Sequence, residues 1–426
     1  MNTTVVISGM GCVTPLGNDP KDVHKAMIQG QTAFSEISQF DSSTYACRFG
    51  GEIKNFNIRD LGISGSNIML RYNKMQMKAV IQTLNDYNLM SSLENNAINC
   101  AVYVANHTVN VDSETLQIFR SICSENGNEI LDFSLLGDGL NKIPPLSGVK
   151  QLTTVPSHFI AKYTGAHGPG NLYYSGDSGS LTSLLSAARA IETGRIEQAV
   201  VSASFSPFSP HEFAWWYRTG IIRSTTPGDD PKELVAPFHP QSSGTIMSEG
   251  AGAIFLESEE SALRNGHPIL ARICGGSSLT VPGETYFALS GQGFAKTLES
   301  AFKKTGLAPN DMDLILCNAP SVSGWDNAEL DGLSKVWRES HIRATSTKGY
   351  LGFLGPTSGI LDVILAVQSM ITKTALPLSH PQAVSEKNID WVHQENTSME
   401  IQHCVINGAG LGGAYCSVIL QEGEIH

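Results

Sequence analysis

The chain has 426 residues, more than the usual length of one domain, so two similar halves or one large double domain are expected. Hydrophobic residues make up 41% and charged residues 16%, with 41 glycines, a balance that suits a compact α/β protein and argues against disorder. The formal net charge of -12, with no basic run, argues against nucleic acid and anionic membrane surfaces as partners.

The stretch Met1 to Gly17 has no basic n-region and no long apolar h-region, and nowhere do 18 apolar residues follow one another. Neither secretion nor a membrane span is expected, and a cytoplasmic protein is. Eight cysteines (Cys12, Cys47, Cys100, Cys123, Cys274, Cys317, Cys404 and Cys416) are scattered without a CxxC pair, which reads as buried thiols rather than a metal site or a disulfide framework. Asn2, Asn106 and Asn396 begin N-x-Ser/Thr sequons, a pattern that recurs by chance and carries no weight here.

Along the chain, Val5-Val6-Ile7-Ser8-Gly9 reads as a buried strand ending in a turn. The strongest local signal is Leu172 to Ser206, where a short strand enters a Ser175-Gly176 turn and a helix starts near Gly179. Leu181, Leu184, Leu185, Ala188 and Ile191 share one face of that helix, Gly194 stops it, and Val200-Val201 begins the next strand. This βαβ order predicts an α/β fold with a mostly parallel, doubly covered sheet. Residues 225 to 247 are rich in Pro, Gly, Ser and Thr and precede a strand at Ala251 to Glu257, which places the internal boundary near residue 258. The expected halves are 1–257 and 258–426. The second half opens with a strand-like Ile269 to Gly275, followed by a strand at Leu314 to Cys317, a helix over Ile360 to Ile371, and a strand pair around Cys404 to Ile406 and Cys416 to Leu420.

Two motifs are decoys. Gly176-Asp177-Ser178-Gly179-Ser180 matches the GDSG around the nucleophile of chymotrypsin-like proteases, but those are all-β, whereas this segment opens a helix and no upstream His-Cys dipeptide supplies a base. Gly408 to Gly413 satisfies GxGxxG, yet the β-rich Tyr415 to Leu420 follows and leaves no place for a dinucleotide-binding helix.

From end to end the chain resembles the β-ketoacyl synthase family. The matching stretches are Val6 to Asn18, Pro237-Phe238, Ser248 to Glu257, Ser346-Thr347-Lys348 and Asn407 to Gly413, in family order and spacing. The resemblance implies a thiolase fold, layered αβαβα and built from two similar halves, assembled as a dimer. It also implies the family chemistry: a nucleophilic cysteine at a strand-to-helix elbow, favoured as thiolate by the helix dipole, and two histidines that aid decarboxylation and donate to the enolate oxygen. No metal or diffusible cofactor is implied; acyl groups arrive on the phosphopantetheine of an acyl carrier protein.

Carried over residue by residue, that machinery is missing. Counting back from Ala187-Ala188-Arg189, which matches the helix after the family cysteine, puts Asp177 in the nucleophile's place. The family Asn-Ala-His-Gly-Thr motif reads Asn318-Ala319-Pro320-Ser321-Val322, so Pro320 replaces the first histidine, and Phe353 replaces the second. Lys348 is kept, Glu249 is kept, and Leu411 stands where an aromatic residue gates the nucleophile. A pseudoenzyme is expected. Aspartate is a preferred N-cap residue, so the role expected of Asp177 is to cap its helix, worth roughly 0.5 to 2 kcal/mol.

Chain-length factors resemble ketosynthases without the cysteine and pair with an active ketosynthase in type II polyketide or aryl polyene assembly. The similarity implies a heterodimer with such a subunit, pairing of the strand at about Gly170 to Ser175 across the dimer axis, and a tunnel between the subunits. The tunnel helix should lie near Ser113 to Ile122, with Ser113, Leu116 and Phe119 setting its depth; the alternative is that Leu116 and Phe119 are ordinary core residues. Two other readings stand beside this one: a repurposed enzyme using Asp177, Ser175 or Ser178 for hydrolysis, decarboxylation or cyclisation of a carrier-bound chain, and a structural homodimer that binds acyl carrier protein.

Overall fold

The computed structural model describes residues 3–54, 56, 63–107, 113–124, 130–380 and 388–424; Asn2 of the first sequon lies outside them. The apolar and β-branched runs form thirteen strands among these residues: β1 (Val5–Val13), β2 (Ser35–Glu36), β3 (Phe49–Gly50), β4 (Cys100–Ala105), β5 (Gly170–Tyr173), β6 (Gln198–Phe205), β7 (Gly250–Ser258), β8 (Ala271–Thr280), β9 (Leu314–Leu316), β10 (Ile342–Thr345), β11 (Ile389–Trp391), β12 (His403–Gly410) and β13 (Ala414–Glu422). All but the β2–β3 pair join one sheet in the order β11-β10-β9-β12-β13-β8-β1-β7-β6-β4-β5.

Outward from the junction of β1 with β8, the two sides have the same topology. On one side the order is β1, β7, β6, β4, β5; on the other it is β8, β13, β12, β9, β10, with β11 added at the edge. Each side thus runs first, fifth, fourth, second, third in chain order. The sheet is mixed rather than mostly parallel: the six middle strands from β12 to β6 pair antiparallel, while the flanks β9–β12, β9–β10, β10–β11, β4–β6 and β4–β5 are parallel. Short connections such as Leu411 to Gly413 allow antiparallel neighbours, whereas parallel ones need crossovers, here helices.

Those helices build the layers. Helix Gly179–Glu192 and helix Ser358–Thr372 pack on each other and on strands of both halves, filling the middle. Every residue of the second from Ser358 to Met370 is buried, as expected of a helix apolar almost all round. Helices Arg71–Asp86 and Val155–Thr164 cover one outer face, and helices Gly291–Thr305 and Ser323–Val336 the other. The result is the αβαβα thiolase fold.

Gly9 does not end a strand. β1 continues to Val13, with a bulge between Ile7 and Gly9, and a Cβ on Gly9 would stand 2.7 Å from Leu89 Cδ1. The glycine serves close packing of a helical layer, not a turn. Seven cysteines are buried, Cys274 is half-buried, and all eight are free thiols. Among the described residues no helix is long and apolar enough to cross a membrane.

Candidate active-site region

The elbow after β5 is built by a glycine. Gly176 takes φ +56, which a side chain disfavours, and opens a 3-10 turn, Gly176–Ser178, that runs straight into helix Gly179–Glu192. The turn is pressed against the end of β12, where a Cβ on Gly410 would lie 2.8 Å from the Asp177 nitrogen. Gly412 and Gly413, at φ +78 and +76, then reverse the chain into β13. The GxGxxG segment is therefore half strand and half turn, and its glycines let one backbone pass close to another.

Asp177 does not cap the helix. The N-cap position belongs to Ser178, which is itself helical and makes no side-chain capping bond. Because the 3-10 turn leads directly into the helix, Asp177 lies within a helical turn and is 3% exposed. Its Oδ2 has no hydrogen-bond partner. Burial holds the carboxyl well above the usual carboxylate range, against the pull of the Lys348 ammonium. The Ser178 hydroxyl donates to the Ser175 carbonyl at 2.8 Å, so its proton is engaged locally.

The loop after β9 is held by a carboxylate that sequence reading missed. Glu329, on helix Ser323–Val336, accepts the Asn318 and Ala319 amides at 3.0 and 2.9 Å and the Asn407 side chain at 3.0 Å. Asn318 Oδ1 accepts the Ala409 amide at 3.1 Å, and the Ser346 hydroxyl donates to the Ala319 carbonyl at 2.9 Å. These bonds tie the segment carrying Pro320 to β12 and to the Ser346–Lys348 turn. Pro320 is buried there and offers only a ring. Nothing in the local sequence distinguishes Glu329 from a solvated helix residue.

Lys348 is not left without a partner. It is fully buried and ion-paired to Asp362 on the central helix, whose other oxygen accepts the Thr347 hydroxyl at 2.5 Å. Burial lifts Asp362 above the ordinary carboxylate range, with Lys348 and Thr347 opposing. Here a signal existed: the one charged residue in the largely apolar run Ile360 to Ile371, an aspartate, must be paired.

Phe353 is 2% exposed. Its ring lies 5.5 Å from Trp216, nearly edge-on, and 6.2 Å from Trp325, in an apolar cluster that also holds Phe205 and Ala409, with Leu411 packed against it. Its backbone bonds to Ile246 and Ser248, next to Glu249. Glu249 itself is fully enclosed, accepting from the Ile53 amide, Arg71, Gln39 and Ser206, which makes it a structural carboxylate.

Asp177, Pro320, Lys348, Phe353 and Leu411 are thus gathered around the glycine-rich end of β12. The helix with Ser113, Leu116 and Phe119 is real, at Ser113–Cys123. Its buried residues are Thr115, Ile122 and Cys123, packed toward the turn Phe133–Leu136. Leu116 is 36% exposed, and Ser113 and Phe119 are half-buried, so these three are not ordinary core residues of the single chain. Among the described residues no group of three His, Cys, Asp or Glu could hold a metal ion.

Comparison with known families agrees with this geometry. The sequence model of the β-ketoacyl synthase N-terminal domain matches residues 2–262, and that of the C-terminal domain matches residues 271–382. The chain belongs to the β-ketoacyl synthase family. It is 24% identical over 431 residues to the 3-oxoacyl-[acyl-carrier-protein] synthase 2 of Staphylococcus aureus (strain COL), covering 99% of both chains. Two similar solved structures share the fold at 18% identity and TM-score 0.84, each covering 99% of this chain and 100% of the other: the ishigamide ketosynthase/chain length factor, and a type II polyketide synthase acyl-carrier protein in complex with its ketosynthase bound to the hexaketide.

Proposed function

We propose that this chain is a non-catalytic, chain-length-factor-like subunit that pairs with an active ketosynthase in a type II polyketide or aryl polyene synthase and shapes the tunnel that receives the growing chain. The observation that carries the reading is the combined loss at the site: a buried Asp177 stands at the elbow, Pro320 and Phe353 replace both donors, and Lys348 is committed to Asp362. A ketosynthase needs a thiolate to accept the acyl chain and donors for the enolate oxygen. Neither function has a side chain here. Acyl groups would arrive on the phosphopantetheine of an acyl carrier protein and load the partner's cysteine. On this reading the halves divide near residue 258, at the end of β7.

The partner's place is suggested by the edge of the sheet. Among the described residues β5 pairs only with β4, and its residues are exposed or half-buried. Beside it runs a groove of about 1120 Å³ lined by Tyr103, Tyr173, Arg189, Arg195, Cys274 and Lys304. An unpaired edge of this kind calls for a covering element. Ser113, Leu116 and Phe119 are exposed enough to take part in a tunnel completed by a second subunit. The test is condensation activity: this chain alone should extend no acyl-carrier-bound primer, and should support extension when mixed with an intact ketosynthase. Extension by this chain alone would reject the reading.

A second reading, a repurposed enzyme, draws on one feature, the unpartnered Oδ2 of Asp177 with its raised pKa. It predicts turnover of an acyl thioester by the isolated chain that is abolished in Asp177→Ala.

A further inference from the structure

The groove beside β5 has an apolar floor. The Tyr103 and Tyr173 rings, nearly parallel with centroids 6.3 Å apart, line it from β4 and β5. Gly275 and Gly276 of β8 and Leu185 of the central helix Gly179–Glu192 complete that floor. Leu185 falls with Leu181, Leu184 and Ala188 on the apolar face of its helix, yet those three are buried and Leu185 is only half-buried. An apolar floor left open to this extent suits the surface of another protein better than a small anion.

The charge around that floor has one sign. Arg189, Arg195 and Lys304 line the groove against a single described acid, Glu192, in a chain whose 40 Asp and Glu outnumber its 28 Lys and Arg. Glu192 is taken up by Arg189 at 2.9 Å. Arg195 and Lys304 form no ion pair among the described residues, and Arg195 stands instead near the Tyr103 hydroxyl. Lys304 ends helix Gly291–Thr305 and Arg195 follows the central helix, so only the fold brings the two cations to one groove. A second copy of this chain pairing through β5 would meet the first about a twofold axis, setting this groove against itself. Like charges opposed in that way are unfavourable and act against the wrong partner.

We propose that Arg195 and Lys304 select the subunit that covers β5: the groove accepts a ketosynthase whose facing surface presents carboxylates and rejects a second copy of this chain. This rests on the reading of the chain as a partner subunit and names what makes that partnership heteromeric. Carboxylates opposite the two cations turn the penalty of self-pairing into attraction, while the apolar floor supplies contact area to either pairing. The choice between partners therefore lies in the charges, which are sensitive to salt, and not in the floor.

The test measures two affinities of the purified full chain, for itself and for a co-expressed intact ketosynthase, at about 0.05 and 0.5 M salt. The wild type should bind the ketosynthase at least about 10-fold more weakly at the higher salt. Arg195→Gln combined with Lys304→Gln should weaken ketosynthase binding about 10-fold at the lower salt, remove most of the salt dependence and strengthen self-association. Thermal unfolding confirms that the double variant is folded; where it is not, Arg195→Gln alone is judged by the same criteria. An unchanged affinity for the ketosynthase, or unchanged self-association, in a folded variant would overturn the inference. A wild-type chain that captures no ketosynthase at either salt would instead reject the subunit reading, and this inference with it.

Discussion

Asp177 offers a test that separates a structural remnant from a catalyst. Its carboxyl is buried with Oδ2 unpartnered and its pKa raised, so the folded chain holds a proton there that the unfolded chain releases at ordinary carboxylate pH. Stability from this group is therefore fully present below the unfolded pKa and is lost as pH rises toward the folded one. The carboxamide introduced by Asp177→Asn cannot ionise, so the substitution should stabilise increasingly as pH rises above about 4. Each pH unit between the unfolded and folded pKa values is worth about 1.4 kcal/mol. At about 2.1 cal/mol/K per residue, unfolding a chain of this length carries roughly 0.9 kcal/mol/K, so the gain grows by about 1.5 °C per pH unit in that window. Thermal unfolding of both proteins at pH 5 and pH 8 reads the difference. A variant that melts lower than wild type at pH 8, or a gap that does not widen with pH, would refute this account of the buried carboxyl. Product formation by the heterodimer should be unchanged by the same substitution; a tenfold loss with the complex intact would make Asp177 catalytic.

Lys348→Met should destabilise the chain by about 3–5 kcal/mol, because Asp362 is left buried and uncompensated, and Lys348→Met with Asp362→Leu should recover part of the loss in chemical denaturation. Gly410→Ala places a methyl 2.8 Å from the Asp177 nitrogen and should lower the melting temperature, whereas Gly194→Ala, with nothing within 4 Å but φ +68, tests strain alone and should cost less. Phe119→Ala should lengthen the products of the complex, as read by mass spectrometry; an unchanged distribution with the complex intact removes Phe119 from the tunnel.

The sequence made the central unit legible because its periodicity is strong: the helix starting at Gly179 and stopping at Gly194 packs with Leu181, Leu184, Ala188 and Ile191 inward as expected, while Leu185, expected on the same face, is half-buried. The strand sense of the sheet was not legible, since local patterns mark a strand but not its neighbour. The same limit hid how the family positions are held. Glu329 acts on residues 10, 11 and 78 positions away through the fold, and the capping role expected of Asp177 failed because the turn before the helix is itself helical. The three positions proposed for the tunnel were placed on one helix by sequence spacing, while their exposure only the structure could give.

The central claim, a subunit that works only beside an active ketosynthase, is tested most directly by co-expressing this chain with an intact ketosynthase, recovering it by an affinity tag, and determining native mass. A one-to-one heterodimer, with this chain inactive alone, is the result expected. A homodimer of this chain that ignores the ketosynthase would contradict it.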